Sequence, residues 1–241
     1  MTEGIRFAES VAKVVTEGMA KNQFGLKVRA GLATRQELAI FAVQTYHRNL
    51  YSSRFASACH SRCPVPEIRR ALLEIIIEEE AKSSNEEPSH ADLMLIFAEA
   101  LGLQREHVIR ARPLPSTLVF IETIMKLCEG HWLEGIAFRA SELVAPKKSS
   151  GWIEALQRHY SFPTEALVWW QAHKAADVRH SSIALQVYSH FVRDESEKEI
   201  ALRAVDGMLA AWRVFDRGII EAGEEARSGR DVGFPLGSVR T

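Results

Sequence analysis

Three side chains near the C-terminal third of the chain have the types and the spacing to hold a metal. His173, Asp177 and His180 lie four and three residues apart. On an α-helix that spacing stacks all three on one face. Two imidazoles and a carboxylate on one stripe can bind a transition metal through nitrogen and oxygen. A polar stripe on a long surface helix has the same spacing, so partners elsewhere must decide between the two. Candidates are Glu142, an acid among small and apolar residues, His90 at the start of a helical segment, and the run Glu78-Glu79-Glu80. Three acids at a helix C-terminus oppose its dipole, an unfavourable placement unless a cation compensates.

These residues need elements to position them, and the sequence reads as helix throughout. Phe7, Val11, Val14, Val15 and Met19 form the stripe of a first helix, followed by a break bracketed by Gly25 and Gly31. Thr34-Arg-Gln-Glu37 is a capping box that opens a second helix running to about Arg62. Pro66 suits the first turn of a third, which closes on the acid run. A polar loop from Lys82 to Pro88 leads to a fourth helix, Ser89 to Gly102. A fifth spans Ser116 to Glu129, and a sixth spans His131 to Val144 and is ended by Pro146. A short helix covers Ser149 to His159, the central helix runs from Pro163 to Arg193, and a last one from Ser196 to Ala222. Residues 223–241 read as a flexible tail. The expectation is one all-α domain over residues 1–222, a bundle of seven to eight helices.

Composition excludes several classes. The 241 residues are 46% hydrophobic and 25% charged with a formal net charge of -1, ordinary for a globular domain. No basic block points to nucleic acid. No apolar run approaches the ~20 residues that span a bilayer, and the N-terminus lacks a signal-peptide pattern. Cys59, Cys63 and Cys128 are odd in number and form no disulfide framework, which fits a reducing cytoplasm. The expected setting is a cytoplasmic homodimer acting on a small molecule, without nucleic acid or membrane.

The chain resembles the heme-oxygenase-like diiron oxidases and oxygenases, the superfamily of the coenzyme-PQQ synthesis protein C and TenA. The echoes are His60-Ser-Arg-Cys63, Glu78-Glu79-Glu80 followed by Ser89-His90-Ala-Asp-Leu, Ser141-Glu142-Leu-Val-Ala-Pro, and Ala175-Ala-Asp177-Val-Arg-His180 preceded by His173. They look especially like the chlamydial branch that makes p-aminobenzoate. The resemblance implies a heme-oxygenase-like bundle in which Glu79, His90, Glu142, His173, Asp177 and His180 bind two Fe2+ ions, the second weakly, with O2 as co-substrate. Glu80 or Glu87 could replace Glu79, since that gap varies in the family. It further implies a biosynthetic oxidase or oxygenase that cleaves C–C bonds or oxidises amines. Gly25 follows Phe24 where the chlamydial branch has a tyrosine that it consumes, and Ser141 stands where it has another tyrosine. A separate substrate is therefore expected: a small carboxylic acid, first of all an amino acid or derivative.

Tyr46, Arg48 and Arg139 are the candidate substrate contacts, because an arginine facing a cavity can hold a carboxylate bidentately. Phe24, Leu50, Phe138, Trp170 and Arg54 are further expected wall residues. The other readings are a metal-free oxidase or TenA-type hydrolase of the same fold, with Cys128 as the candidate nucleophile, and a non-catalytic interaction protein.

Overall fold

The structure, a computed structural model, describes residues 2–80, 88–236 and 239, and gives the backbone but not the side chains of residues 175–182. Among the described residues it is all-helical. The first four α-helices are α1 (Glu3–Ala20), α2 (Gln23–Arg29), α3 (Arg35–Asn49) and α4 (Ser52–Arg62). Then come α5 (Pro66–Glu80), α6 (His90–Ala100), α7 (Arg105–Arg110) and α8 (Pro115–Glu129). The last four are α9 (Trp132–Ala140), α10 (Ala145–Tyr160), α11 (Val168–His190) and α12 (Glu195–Arg227).

There are more helices than the seven to eight expected. The break between Gly25 and Gly31 is itself helical, because the Asp216 carboxylate accepts the Phe24 N–H at the start of α2 (2.8 Å). The expected second helix divides at Leu50 and Tyr51 into α3 and α4. Pro146 does not end a helix but sits in the first turn of α10, where its missing N–H costs nothing. Between α9 and α10 the chain tightens into a 3-10 turn, Ser141–Val144, which carries Glu142. The central helix starts at Val168 after another 3-10 turn, Thr164–Leu167. At the C-terminus, where a flexible tail was expected from residue 223, α12 continues to Arg227, and Val232 and Phe234 are buried against the core.

The bundle is assembled around α3, which is buried continuously from Glu37 to Asn49 and packs against α6 and α12. α11 packs against α1, α6, α9 and α10, and α12 against α1, α3, α8 and α9. A helix buried on every side must satisfy its polar groups internally. The Gln44 side-chain oxygen does so by accepting from the Thr117 hydroxyl (2.7 Å) and the Leu114 N–H (2.8 Å), while its Nε2 has no partner among the described residues. The Thr34–Glu37 capping box forms as expected. Its fully buried Glu37 also receives Lys27 Nζ at 2.6 Å and Arg227 Nη1 at 3.0 Å, which ties α2 and the end of α12 to α3. Gly223 permits this approach: a Cβ there would lie 2.4 Å from Glu37 Cγ. No helix among the described residues is long and apolar enough to cross a membrane.

Burial pushes the Glu37 carboxyl up, but Lys27, the Thr34 N–H and Arg227 outweigh it and hold the group below its ordinary value of 4.5. A lowered folded-state pKa adds stability that is full above 4.5 and is lost as the pH falls below it. Glu37→Gln is therefore expected to cost about 1–3 kcal/mol at pH 7, with the gap to the wild type narrowing below the ordinary carboxylate value. Urea denaturation at both pH values measures it. Gly223→Ala should lower stability by about 1–3 kcal/mol through overpacking against the same carboxylate, read in the same assay.

Candidate metal and substrate site

A cavity of about 110 Å³ lies between α3, α5, α6, α9, α10, α11 and α12. Glu79 from α5, His90 from α6, Glu142 from the 3-10 turn and His173 from α11 all line it. Elements far apart in sequence thus deliver four of the expected metal ligands to one place. His90 Nδ1 is 3.1 Å from Glu79 Oε2. The rings of His90 and His173 have centroids 4.8 Å apart. Glu80, the next residue along α5, instead accepts from the Ser53 hydroxyl (2.5 Å), so of the two acids it is Glu79 that faces the cavity. The side chains of Glu87, Asp177 and His180 lie outside the described residues.

The electrostatics prepare these groups as donors. His173 Nδ1 lies 2.7 Å from the Trp169 carbonyl, one turn earlier on α11. A ring nitrogen facing a carbonyl must carry the proton, which leaves Nε2 with its lone pair free for a metal. Burial and the His90 charge pull His173 down to about 3, so the imidazole is neutral at pH 7. Burial acts on Glu79 in the opposite sense, but its hydrogen bond with His90 and the Arg139 charge hold it below the ordinary carboxylate value. Burial pushes Glu142 up to about 7, with the Glu79 charge adding to the rise and Arg139 opposing it. Glu142 Oε1 pairs with Arg139 Nη1 at 2.6 Å, while the buried Oε2 has no hydrogen-bond partner. Two carboxylates and two neutral-capable imidazoles, one with an orphaned oxygen, fit an oxygen- and nitrogen-ligated divalent metal. Among the described residues no group of three or more such side chains is already drawn together tightly enough to grip an ion.

The expected substrate contacts divide. Arg48 lines the cavity and is buried, with its guanidinium 4.7 Å from the Trp212 ring centroid. Arg139 also lines it, yet its Nη1 is committed to Glu142. Tyr46 lines neither this cavity nor its neighbour; it is buried against His47. Leu50 is exposed, and Arg54 stacks on Tyr51 at 4.9 Å, so neither is a wall residue. Phe138 and Trp170 line the cavity as expected, and Phe24 lines a second, adjoining one of about 510 Å³. Sequence reading missed Lys148, Trp152, Trp212 and Phe215, which line both cavities. Trp169 lines the inner cavity as well. Ser141, in place of a tyrosine, spends its hydroxyl on the Phe138 carbonyl (2.7 Å). Cys59 and Cys128 are fully buried against each other around Gly135, and no cysteine lines either cavity among the described residues.

A model of the family of iron-containing redox enzymes matches residues 39–215, most of the chain and all four of these donors. The chain belongs to that family. It is 30% identical to a 4-aminobenzoate synthase of Chlamydia muridarum over 78% of this chain and 79% of that one. It is 31% identical to a pyrroloquinoline-quinone synthase of Rhizobium meliloti over 66% and 62% of the two chains. In fold it is similar to a heme-oxygenase-like domain from Shewanella denitrificans (TM-score 0.77, 18% identity, 98% of this chain and 100% of that one). It is also similar to a TenA homolog from Pseudomonas syringae (TM-score 0.71, 14% identity, 91% of each). The heme-oxygenase-like bundle expected from the resemblance is thus the fold of this iron-containing redox enzyme.

The Arg139–Glu142 pair is the most exposed to disruption. Removing one partner of a buried pair leaves an uncompensated charge. Arg139→Met is expected to destabilise the metal-free protein by about 3 kcal/mol, measured by urea denaturation at pH 8, where Glu142 is ionised.

Proposed function

We propose that this iron-containing redox enzyme is a nonheme diiron, O2-dependent oxidase or oxygenase that acts on a small carboxylic acid, an amino acid or derivative first of all, in a biosynthetic pathway. The observation that carries the reading is the convergence of Glu79, His90, Glu142 and His173, from four separate elements, on one cavity. Those four would hold the iron, Glu79, Glu142 and one or both imidazoles at the tighter position, with Asp177 and His180 of α11 serving the looser one. When bound, the two ions supply O2 activation and a store of oxidising equivalents.

The chain's own residues do the rest. His90 orients Glu79 and keeps it ionised, and the Trp169 carbonyl fixes the His173 tautomer. Arg139 holds Glu142 against the tendency of its buried carboxyl to take up a proton. Trp152, Trp169, Trp170 and Trp212 wall the cavity with aromatic surface and limit water, which strengthens each electrostatic contact inside. A hydrolase of the TenA kind needs a nucleophile in the cavity, and Cys128 lies away from it, its thiol pushed well up by its hydrogen bond with Cys59 and by burial.

Loading with Fe(II) under anaerobic conditions, followed by metal analysis, tests the site. About two irons per chain are expected, and His173→Ala should lose most of the iron and all O2 uptake. Full iron content and activity in His173→Ala would remove α11 as the metal helix. O2 consumption by the loaded protein against amino acids and fatty acids then ranks substrates. Uptake with a medium-chain fatty acid, and none with any amino acid or derivative, would reverse the ranking.

A further inference from the structure

The two cavities share a wall formed by Met19, Phe41, Lys148, Trp152, Trp212 and Phe215. The inner one holds the four metal donors; the outer one is lined by Phe24, Leu143, Val144 and Ile219 and is largely apolar. At their junction two cations approach one aromatic ring. Lys148 Nζ is 4.8 Å and Arg48 Cζ 4.7 Å from the Trp212 ring centroid. Like charges brought into partly or fully buried positions repel and are costly, and a protein keeps them together where an anion will sit between them.

Among the described residues no carboxylate is in hydrogen-bond or ion-pair contact with either cation, and two act on them from a distance. Lys148 has its contact with the Trp212 face and no hydrogen bond or ion pair. Asp216 on the outer wall is the acid whose charge reaches Lys148, without a hydrogen bond or ion-pair contact, and it accepts the Phe24 N–H at 2.8 Å. Arg48, more than nine-tenths buried, gives one N–H to the Asn49 side chain at 3.0 Å, and its Nε has no partner. Glu79 is the acid whose charge reaches Arg48, and it is paired with His90. Lys147 and Arg29, both on the outer wall, add positive charge. The unpartnered buried polar atoms of the lining side chains tell the same story. They are the donors Arg48 Nε, Asn49 Nδ2, Arg139 Nε, Trp152 Nε1, Trp169 Nε1 and Trp212 Nε1, against two acceptors, Glu142 Oε2 and, on the outer wall, Asn22 Oδ1. Native interiors rarely leave donors unmet, so a cavity rich in donors and poor in acceptors is shaped for an occupant that only accepts.

We propose that Lys148 and Arg48 form the carboxylate-recognition site of the substrate, holding an apolar- or aromatic-bodied carboxylate at the junction of the two cavities. Its body fills the outer cavity, among Phe24, Trp152 and Ile219, and the atoms next to the carboxylate project toward Glu79, His90 and His173. The inner cavity of about 110 Å³ admits only a few atoms, while the outer one of about 510 Å³ accepts a ring or branched chain. This deepens the reading of a carboxylic-acid substrate: chemistry falls close to the carboxylate, and the side chain is larger than that of a small aliphatic amino acid.

Calorimetric titration of the metal-free protein with 3-phenylpropionate, its neutral alcohol 3-phenylpropan-1-ol, and inorganic phosphate tests the site. The acid should bind at least about tenfold more tightly than the alcohol or phosphate, the worth of one charge-assisted hydrogen bond. Lys148→Met should lose about tenfold for the acid and nothing for the alcohol, and Lys148→Arg should restore the preference. Lys148 is only partly buried, so its variants carry the test even where Arg48→Met fails to fold. Equal binding of acid and alcohol, equal binding of phosphate, no binding of the acid, or an unchanged affinity in Lys148→Met would each overturn the proposal. Because the titration uses metal-free protein, its failure leaves the iron site untouched, and a failed iron loading leaves the anion site untouched.

Discussion

Charge buried away from water must be paired, and the centre of this bundle follows from that constraint. Glu79, His90, Glu142, His173, Arg48 and Arg139 all line a cavity of about 110 Å³. Each acid has a cation or imidazole at hydrogen-bond distance: Glu79 with His90 at 3.1 Å, Glu142 with Arg139 at 2.6 Å. The neutral state of His173 is maintained by the same dryness that would make a stray charge intolerable. The polar set therefore fixes how α5, α6, α9 and α11 can sit, since sliding any one of them would leave a buried charge without its partner.

The helices meet that demand in different ways. α3 is buried through most of its length and reaches outward through the Gln44 oxygen to the start of α8 and through Glu37 to α2 and α12. The chain between α9 and α10 changes pitch at Ser141–Val144, and this tightened turn carries Glu142 on the cavity wall. α11 presents His173 one turn after Trp169, whose carbonyl and ring both contact it, with ring centroids 3.9 Å apart. The same tryptophan thus orients the donor and walls the cavity.

The division of labour between the two arginines shows how one residue type serves two purposes. Arg139 is an internal counter-ion: its charge answers Glu142, and its place three residues earlier on the adjoining helix makes the pairing local. Arg48 has aromatic faces around it, those of Phe120, Trp212 and Phe215, and no carboxylate within ion-pair reach among the described residues. Stacking on π-faces keeps a guanidinium in place without consuming its hydrogen bonds, which leaves those bonds for a ligand.

Much of this was legible in the chain. Apolar residues at helical spacing and the Thr34–Glu37 capping box announce helices because their causes are local, within one or two turns. The donors Glu79, His90, Glu142 and His173 were nameable from type and family resemblance, and helical spacing alone places His173, Asp177 and His180 on one face. What the sequence could not determine were the consequences of distance. The helicity of residues 23–29 and the packing of Val232 and Phe234 depend on partners distant in the chain, such as Asp216, 192 positions away, at the Phe24 N–H. Lys148 looks like any surface lysine in Pro-Lys-Lys-Ser-Ser. Only the fold, by laying α10 across Trp212 of α12, turns it into a cation on an aromatic ring beside the cavity that holds Glu79, His90, Glu142 and His173.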